Sequence, residues 1–253
     1  MEYEIIIANG LVYDGTANNA IRCDIGINKG VITNMSNLSS AFSEKYVDAA
    51  GLNVCPGFID AHSHSDVYLL IEPSAASKIH QGITTEVCGN CGASAAPLNG
   101  RYKMPADWMT QLEQSAWGIG HGGRTRSPDA PQTARSEGDS YHTLKGVRKP
   151  PWRTVGEYRA FYDEIRPAIN LALLVGHNTL HAGICGYEAR GGTQDEMKQM
   201  AAALEQALDE GAIGLSSGLA YPPGSAVPRD ELVALAGVVS RQGGVYTTHM
   251  RSE

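Results

Sequence analysis

From Val54 onward, short apolar runs at 57–60, 83–87, 171–175, 212–215 and 245–249 are interleaved with helical patterns, and this alternation constrains the fold more than any other feature of the chain. A buried strand followed by a helix that returns to start the next strand builds a parallel sheet, because parallel neighbours need a long crossover connection. The best-marked unit begins at Thr193, which forms a capping box with Glu196. Met197, Met200, Ala201, Leu204 and Leu208 then recur at helical spacing until Gly211 ends the helix before strand 212–215. A helix over 228–242, a Gly243-Gly244 stop and strand 245–249 repeat the plan, and a helix over 155–165 precedes strand 171–175. The expected count is five parallel strands.

Residues 1–54 have a different texture. Runs at 4–8, 11–13, 24–27 and 31–34 read as strands separated by turns at Asn9-Gly10, Asp14-Gly15 and Lys29-Gly30, which makes a small N-terminal β unit of sandwich type. The second domain is expected over 55–253. It carries an insertion at about 100–151, rich in Gly, Ser, Pro and Arg, that reads as a lid over the strand ends or as plain disorder.

Composition narrows the partners. With 20 Lys+Arg against 27 Asp+Glu, a net charge of -7, the basic footprint of a nucleic-acid binder is missing, so no nucleic-acid partner is expected. No run approaches the roughly 18 apolar residues of a membrane span, so no membrane partner is expected either. The start, Met1-Glu2-Tyr3-Glu4, lacks a basic signal-peptide region, which gives a cytoplasmic reading. Five scattered cysteines do not suggest a disulfide scaffold, and in a reducing compartment they are free thiols or metal ligands.

The sharpest local signal is Pro56-Gly57-Phe58-Ile59-Asp60-Ala61-His62-Ser63-His64-Ser65-Asp66. A strand ending in His-x-His sets both imidazoles on one side, because side chains alternate with period two, and two neutral imidazoles aimed at one point bind a divalent metal. The competing reading of an isolated His-x-His is a solvated pair near a loop.

Pro-Gly-Phe-Ile-Asp-x-His-x-His after a small β unit resembles the amidohydrolase superfamily. Three further stretches refine the resemblance: Gly82-Ile83-Thr84-Thr85-Glu86-Val87-Cys88-Gly89-Asn90-Cys91-Gly92, Ser216-Ser217-Gly218-Leu219-Ala220-Tyr221-Pro222-Pro223-Gly224, and Thr248-His249-Met250-Arg251. Together, and in this order from about residue 4 to the end, they look like the N-acyl-D-amino-acid deacylase (D-aminoacylase) branch. The resemblance implies an α/β fold, an incomplete (β/α)8 TIM-type barrel with about five of eight strands. It implies Zn(2+) as cofactor, with Cys91 and His249 in the tighter site and His62 and His64 lining the same centre. A thiolate ligand favours zinc over magnesium. Tyr221 and His177 are the implied substrate-binding residues, although His177 can equally be a satisfied core histidine. Asp60 orients a ligand imidazole or packs at the strand end.

The implied activity is hydrolysis of the amide bond of an N-acyl-D-amino acid, a small-molecule substrate, to a carboxylate and a D-amino acid. The alternatives are a dipeptidase or cyclic amidase of the same superfamily, or a truncated non-catalytic product. Cyclic amidases carry a bridging lysine after the fourth strand, and 213–218 contains none. The family's general-base Asp and another histidine ligand fall beyond residue 253. The expectation is therefore that these residues alone bind zinc weakly and hydrolyse nothing detectable, and that 253 is not the natural length.

Overall fold

The computed structural model describes residues 2–16, 18–98, 100–105, 108–109 and 150–252. They form two compact units, residues 1–58 and 59–253. The expected lid over 100–151 lies mostly outside the described residues.

In the first unit, β1 (Glu2–Ala8), β2 (Leu11–Val12), β3 (Ile21–Arg22), β4 (Asp24–Asn28), β5 (Val31–Ser36), β6 (Phe42–Asp48) and β7 (Asn53–Val54) make two small sheets, ordered β5-β4-β1-β6 and β3-β2-β7. β1 buries Tyr3, Ile6 and Ala8, which gather with Leu38 in a minor core. Lys29 and Gly30 both adopt positive φ, 51° and 71°, which is the two-residue turn that joins β4 to β5. Asn9-Gly10 instead carries the chain from one sheet to the other, since β1 and β2 do not pair.

The second unit is built on a five-stranded parallel sheet ordered β12-β11-β10-β9-β8, curled as a half-barrel. Its elements in chain order are β8 (Phe58–Asp60), α1 (Tyr68–Ile71), α2 (Ala76–Ile79), β9 (Ile83–Cys88), α3 (Val155–Ile165), β10 (Asn170–Gly176), α4 (His177–Ile184), α5 (Gln194–Asp209), β11 (Gly214–Gly218), α6 (Arg229–Arg241) and β12 (Val245–His249). The five parallel strands and the partial-barrel architecture match the expectation.

α5 forms as the sequence indicates. Thr193 and Glu196 make both hydrogen bonds of the capping box, Asp195 and Glu196 face the positive end of the helix dipole, and Met200, Leu204 and Ala207 are buried. α3 has the same device at Thr154 and Glu157. The core gathers Leu173, Val175, Leu180, Leu204, Leu215 and Leu235 from strands and helices. Trp152 closes one side of it: its ring stands 5.2 Å from Tyr158 and its Nε1–H donates to Ala95 O at 2.8 Å. Trp152→Phe keeps most of the packing and removes that buried bond. It is expected to cost about 1–2 kcal/mol, read as a lower urea midpoint at unchanged m-value.

Among the described residues no helix is long and apolar enough to cross a membrane. Glycine is required where strand ends meet loops. Gly89 has a φ of 76°, and a Cβ there would collide with Leu174 O; a Cβ on Gly218 would collide with Cys91 O. These contacts let the loop after β9 lie backbone to backbone on its neighbours.

Candidate metal centre

The His-x-His motif follows β8 directly. His62, His64 and Cys91 each offer a donor atom, and these atoms all lie within 4.8 Å of one another. His62 Nε2 is 3.2 Å from Cys91 Sγ, and the two imidazoles meet edge to face with centroids 5.4 Å apart. Donors at 2.0 and 2.3 Å from a tetrahedral zinc stand roughly 3.5 Å apart, so this nitrogen-sulfur spacing fits one ion between them. Burial, followed by the nearby His62 and His249, holds the His64 imidazole below its usual range and keeps it in the neutral, metal-binding form. Burial raises the Cys91 thiol, so an ion must displace its proton on binding.

Asp60 positions the motif from behind. Its Oδ1 accepts the His62 N–H at 3.2 Å while its Oδ2 pairs with Lys78 at 2.8 Å; that lysine hydrogen bond is the main reason its carboxyl sits low. Lys78 also reaches the buried Glu86 at 2.6 Å.

The loop carrying Cys91 is clamped from two sides. Asp66, fully buried, accepts the N–H of Gly89 at Oδ2, 3.2 Å, and that of Ala95 at Oδ1, 3.1 Å. Ser216 on β11 accepts the Gly92 N–H at 3.0 Å and donates to Gly89 O. Between the clamps Cys91 is held at a φ of 53°, a left-handed conformation that costs a non-glycine residue about 1–2 kcal/mol.

A cavity of about 640 Å3 opens beside these ligands, lined by His64, Cys91, Asn178 and Tyr221, and by Tyr102, Trp108 and Tyr187 on its apolar side. The Tyr221 ring meets His249, at the end of β12, with centroids 4.9 Å apart. His249 thus stands beside the centre, outside the group of three mutually close donors. His177 is fully buried and does not line the cavity.

The sequence profile of the amidohydrolase family matches residues 45–248. The chain belongs to the amidohydrolase family. This amidohydrolase is 34% identical over 254 residues to D-aminoacylase from Alcaligenes xylosoxydans xylosoxydans, an alignment that covers 99% of the chain and 45% of the relative. A crystal structure of N-acyl-D-glutamate deacylase from Bordetella bronchiseptica, complexed with zinc and a phosphonate that mimics the tetrahedral intermediate, matches with a TM-score of 0.78. Identity is 32%, over 100% of this chain and 46% of that one. A D-aminoacylase structure addressing a binuclear metal centre matches at 0.77 and 33%, over 99% and 46%. The resemblance to the D-aminoacylase branch is borne out, and the chain spans less than half the length of these relatives.

A second cluster of this amidohydrolase was not legible as a unit. Glu231, at the start of α6, accepts from His177 at 2.9 Å and His181 at 2.7 Å through one oxygen, and from the Gly192 N–H at 2.8 Å through the other. The three side chains lie within 1% of complete burial. Burial pushes the Glu231 carboxyl up, but the bonds from His177, His181 and Gly192 outweigh it and bring the value down from 4.5 to about 2. A depressed carboxyl stabilises the fold above its unfolded value, and that contribution is lost as pH falls from about 4.5 through 2. About 3 kcal/mol should disappear over this window, and Glu231→Gln should flatten that part of the stability profile.

Proposed function

We propose that the whole protein is a zinc-dependent deacylase of N-acyl-D-amino acids, and that His62, His64, Cys91 and His249 supply the part of its metal centre that this chain contains. The convergence of His62, His64 and Cys91 on one point at the cavity wall carries this reading. Two imidazoles and a thiol suit zinc better than magnesium, whose preferred ligands are oxygens. When bound, zinc supplies a Lewis acid that polarises an amide carbonyl and makes water acidic near neutrality.

The chain's own residues bind and orient. Tyr221, half exposed on the cavity wall and set between Pro222 and the loop from β11, offers a hydroxyl to a substrate carbonyl or carboxylate oxygen. Tyr102, Trp108 and Tyr187 offer aromatic surface to an acyl chain or side chain. Asp60 and the Asp66–Ser216 clamp hold the ligands in register before substrate arrives. β11 contains no lysine, which disfavours a cyclic-amidase centre.

Assay of the whole protein against N-acetyl-D- and N-acetyl-L-amino acids tests the reading. Release of the D-amino acid, abolished by a chelator and restored by zinc, is the expected result. Preference for the L-substrates, or turnover unaffected by metal removal, rejects it.

A further inference from the structure

We propose that Glu231, His177 and Asn178 form a buried positioning relay, with His177 protonated on both ring nitrogens, that fixes the Tyr221 loop at the cavity wall. The charge assignment stands on hydrogen-bond geometry alone, and the positioning role rests on the deacylase reading above.

Asn178 sets the proton pattern of the cluster. Its Nδ2 lies 3.2 Å from Gly218 O and 3.3 Å from Tyr221 O, and two carbonyl oxygens dictate which side of the amide carries hydrogen. Oδ1 therefore faces His177 Nδ1, at 3.2 Å, and as an acceptor it requires N–H there. At the other edge of the ring, Nε2 is 2.9 Å from Glu231 Oε1, and a carboxylate accepts only. Both ring nitrogens thus carry protons. His181 is different: Nδ1 donates to the same Glu231 oxygen, while its buried Nε2 has no partner among the described residues, so no acceptor there calls for a second proton. The cluster holds one positive and one negative charge, paired and hydrogen-bonded, the condition under which buried charge is tolerated. Cys185, kept a neutral thiol by burial and by the nearby Glu196 and Glu231, adds no charge.

A metal ion among the same three side chains fits less well. Two donors on a tetrahedral zinc stand roughly 3.3 Å apart. The separations from Glu231 Oε1 are 2.9 and 2.7 Å, the lengths of charge-assisted hydrogen bonds, and all three residues are buried away from any open coordination position.

The relay ends at the cavity. Asn178 is wedged between loops: a Cβ on Gly92 would come within 2.9 Å of its amide, and one on Gly224 would collide with its Oδ1. By holding the carbonyls of Gly218 and Tyr221 it fixes both ends of the turn that presents the Tyr221 ring to His249. His177 thus acts on substrate through Asn178.

The test is 15N NMR of the whole protein with labelled histidine. In the wild type, His177 should show two protonated ring nitrogens and His181 one, on Nδ1. Glu231→Gln should return His177 to a neutral ring, move the Tyr221 and His249 ring signals, and raise KM for the N-acetyl-D-amino acid roughly tenfold while zinc content per chain is unchanged. A bare Nε2 on wild-type His177 overturns the relay, as do zinc-dependent shifts of both rings, which would assign a metal site instead. Unmoved Tyr221 signals and an unchanged KM in a folded Glu231→Gln protein remove the positioning role. The wild-type spectrum decides the charge state even if that variant does not fold. Absence of deacylase activity in the wild type would reject the functional reading and leave the spectrum to judge the relay.

Discussion

Replacing Cys91 by alanine is expected to weaken zinc binding by more than ~100-fold and to remove the hydrolytic activity of the whole protein with it. Loss of a group that merely orients a metal ligand costs 10- to 100-fold in affinity, so loss of the thiolate itself exceeds that. The two remaining imidazoles of the close group, His62 and His64, would hold an ion only loosely. Cys88→Ala is the matched control. Cys88 is fully buried, its thiol is pushed far up by burial, and its Sγ lies 3.7 Å from Glu86, so its removal should leave zinc binding within about threefold of wild type. Competition against a fluorescent chelator measures both variants. Equal losses for the two cysteines would mean that packing, and not ligation, links this loop to the metal.

The other large effect is expected at Asp66. Alanine here leaves the N–H groups of Gly89 and Ala95 buried without acceptors, at about 1–3 kcal/mol for each group, so a loss of about 3–5 kcal/mol is expected in the metal-free protein. Asparagine keeps one acceptor and turns an NH2 group toward a backbone N–H, so it should recover only part of the loss. Because the same two bonds hold Cys91 in its left-handed conformation, zinc affinity should fall about 10- to 100-fold in the asparagine variant, which retains one of the two acceptors. Urea unfolding in chelator measures the first effect, and the same competition assay measures the second. An asparagine variant with wild-type stability and wild-type affinity would show that Ser216 alone holds the loop.

These two residues also mark how far the sequence could be read. Cys91 was legible because its Gly-Asn-Cys-Gly setting belongs to a motif, and His62 and His64 because period-two alternation at a strand end sets them on one side. Asp66 stood only as the last residue of the His-x-His stretch, since its work is done on backbone N–H groups 23 and 29 residues away, and backbone leaves no mark in a pattern of side chains. The resemblance implied His177, just after strand 171–175, as a substrate-binding residue, with a satisfied core histidine as the equal alternative. That position is real, but the ring is turned toward Glu231, a residue that looks in the sequence like an ordinary first-turn acid of a helix.

The fold shows the same division. α5 and its cap could be read because helix signals are local, and the five parallel strands because each is an apolar run followed by a crossover. β6, Phe42–Asp48, escaped notice: its residues are mostly exposed and mixed in polarity, and it is a strand because it pairs in parallel with β1, a contact made across more than 30 residues. α4 escaped as well. It follows β10 without a break and is buried almost throughout, so it has no polar face to set a helical period.

The central claim, that a thiolate and imidazoles at the strand ends hold a zinc ion, is tested most directly by zinc K-edge X-ray absorption on the zinc-loaded protein. The account predicts one sulfur at about 2.3 Å with nitrogen neighbours at about 2.0 Å, and loss of the sulfur in Cys91→Ala but not in Cys88→Ala. A shell of nitrogen and oxygen alone in the wild type, or a sulfur that survives Cys91→Ala, would contradict it.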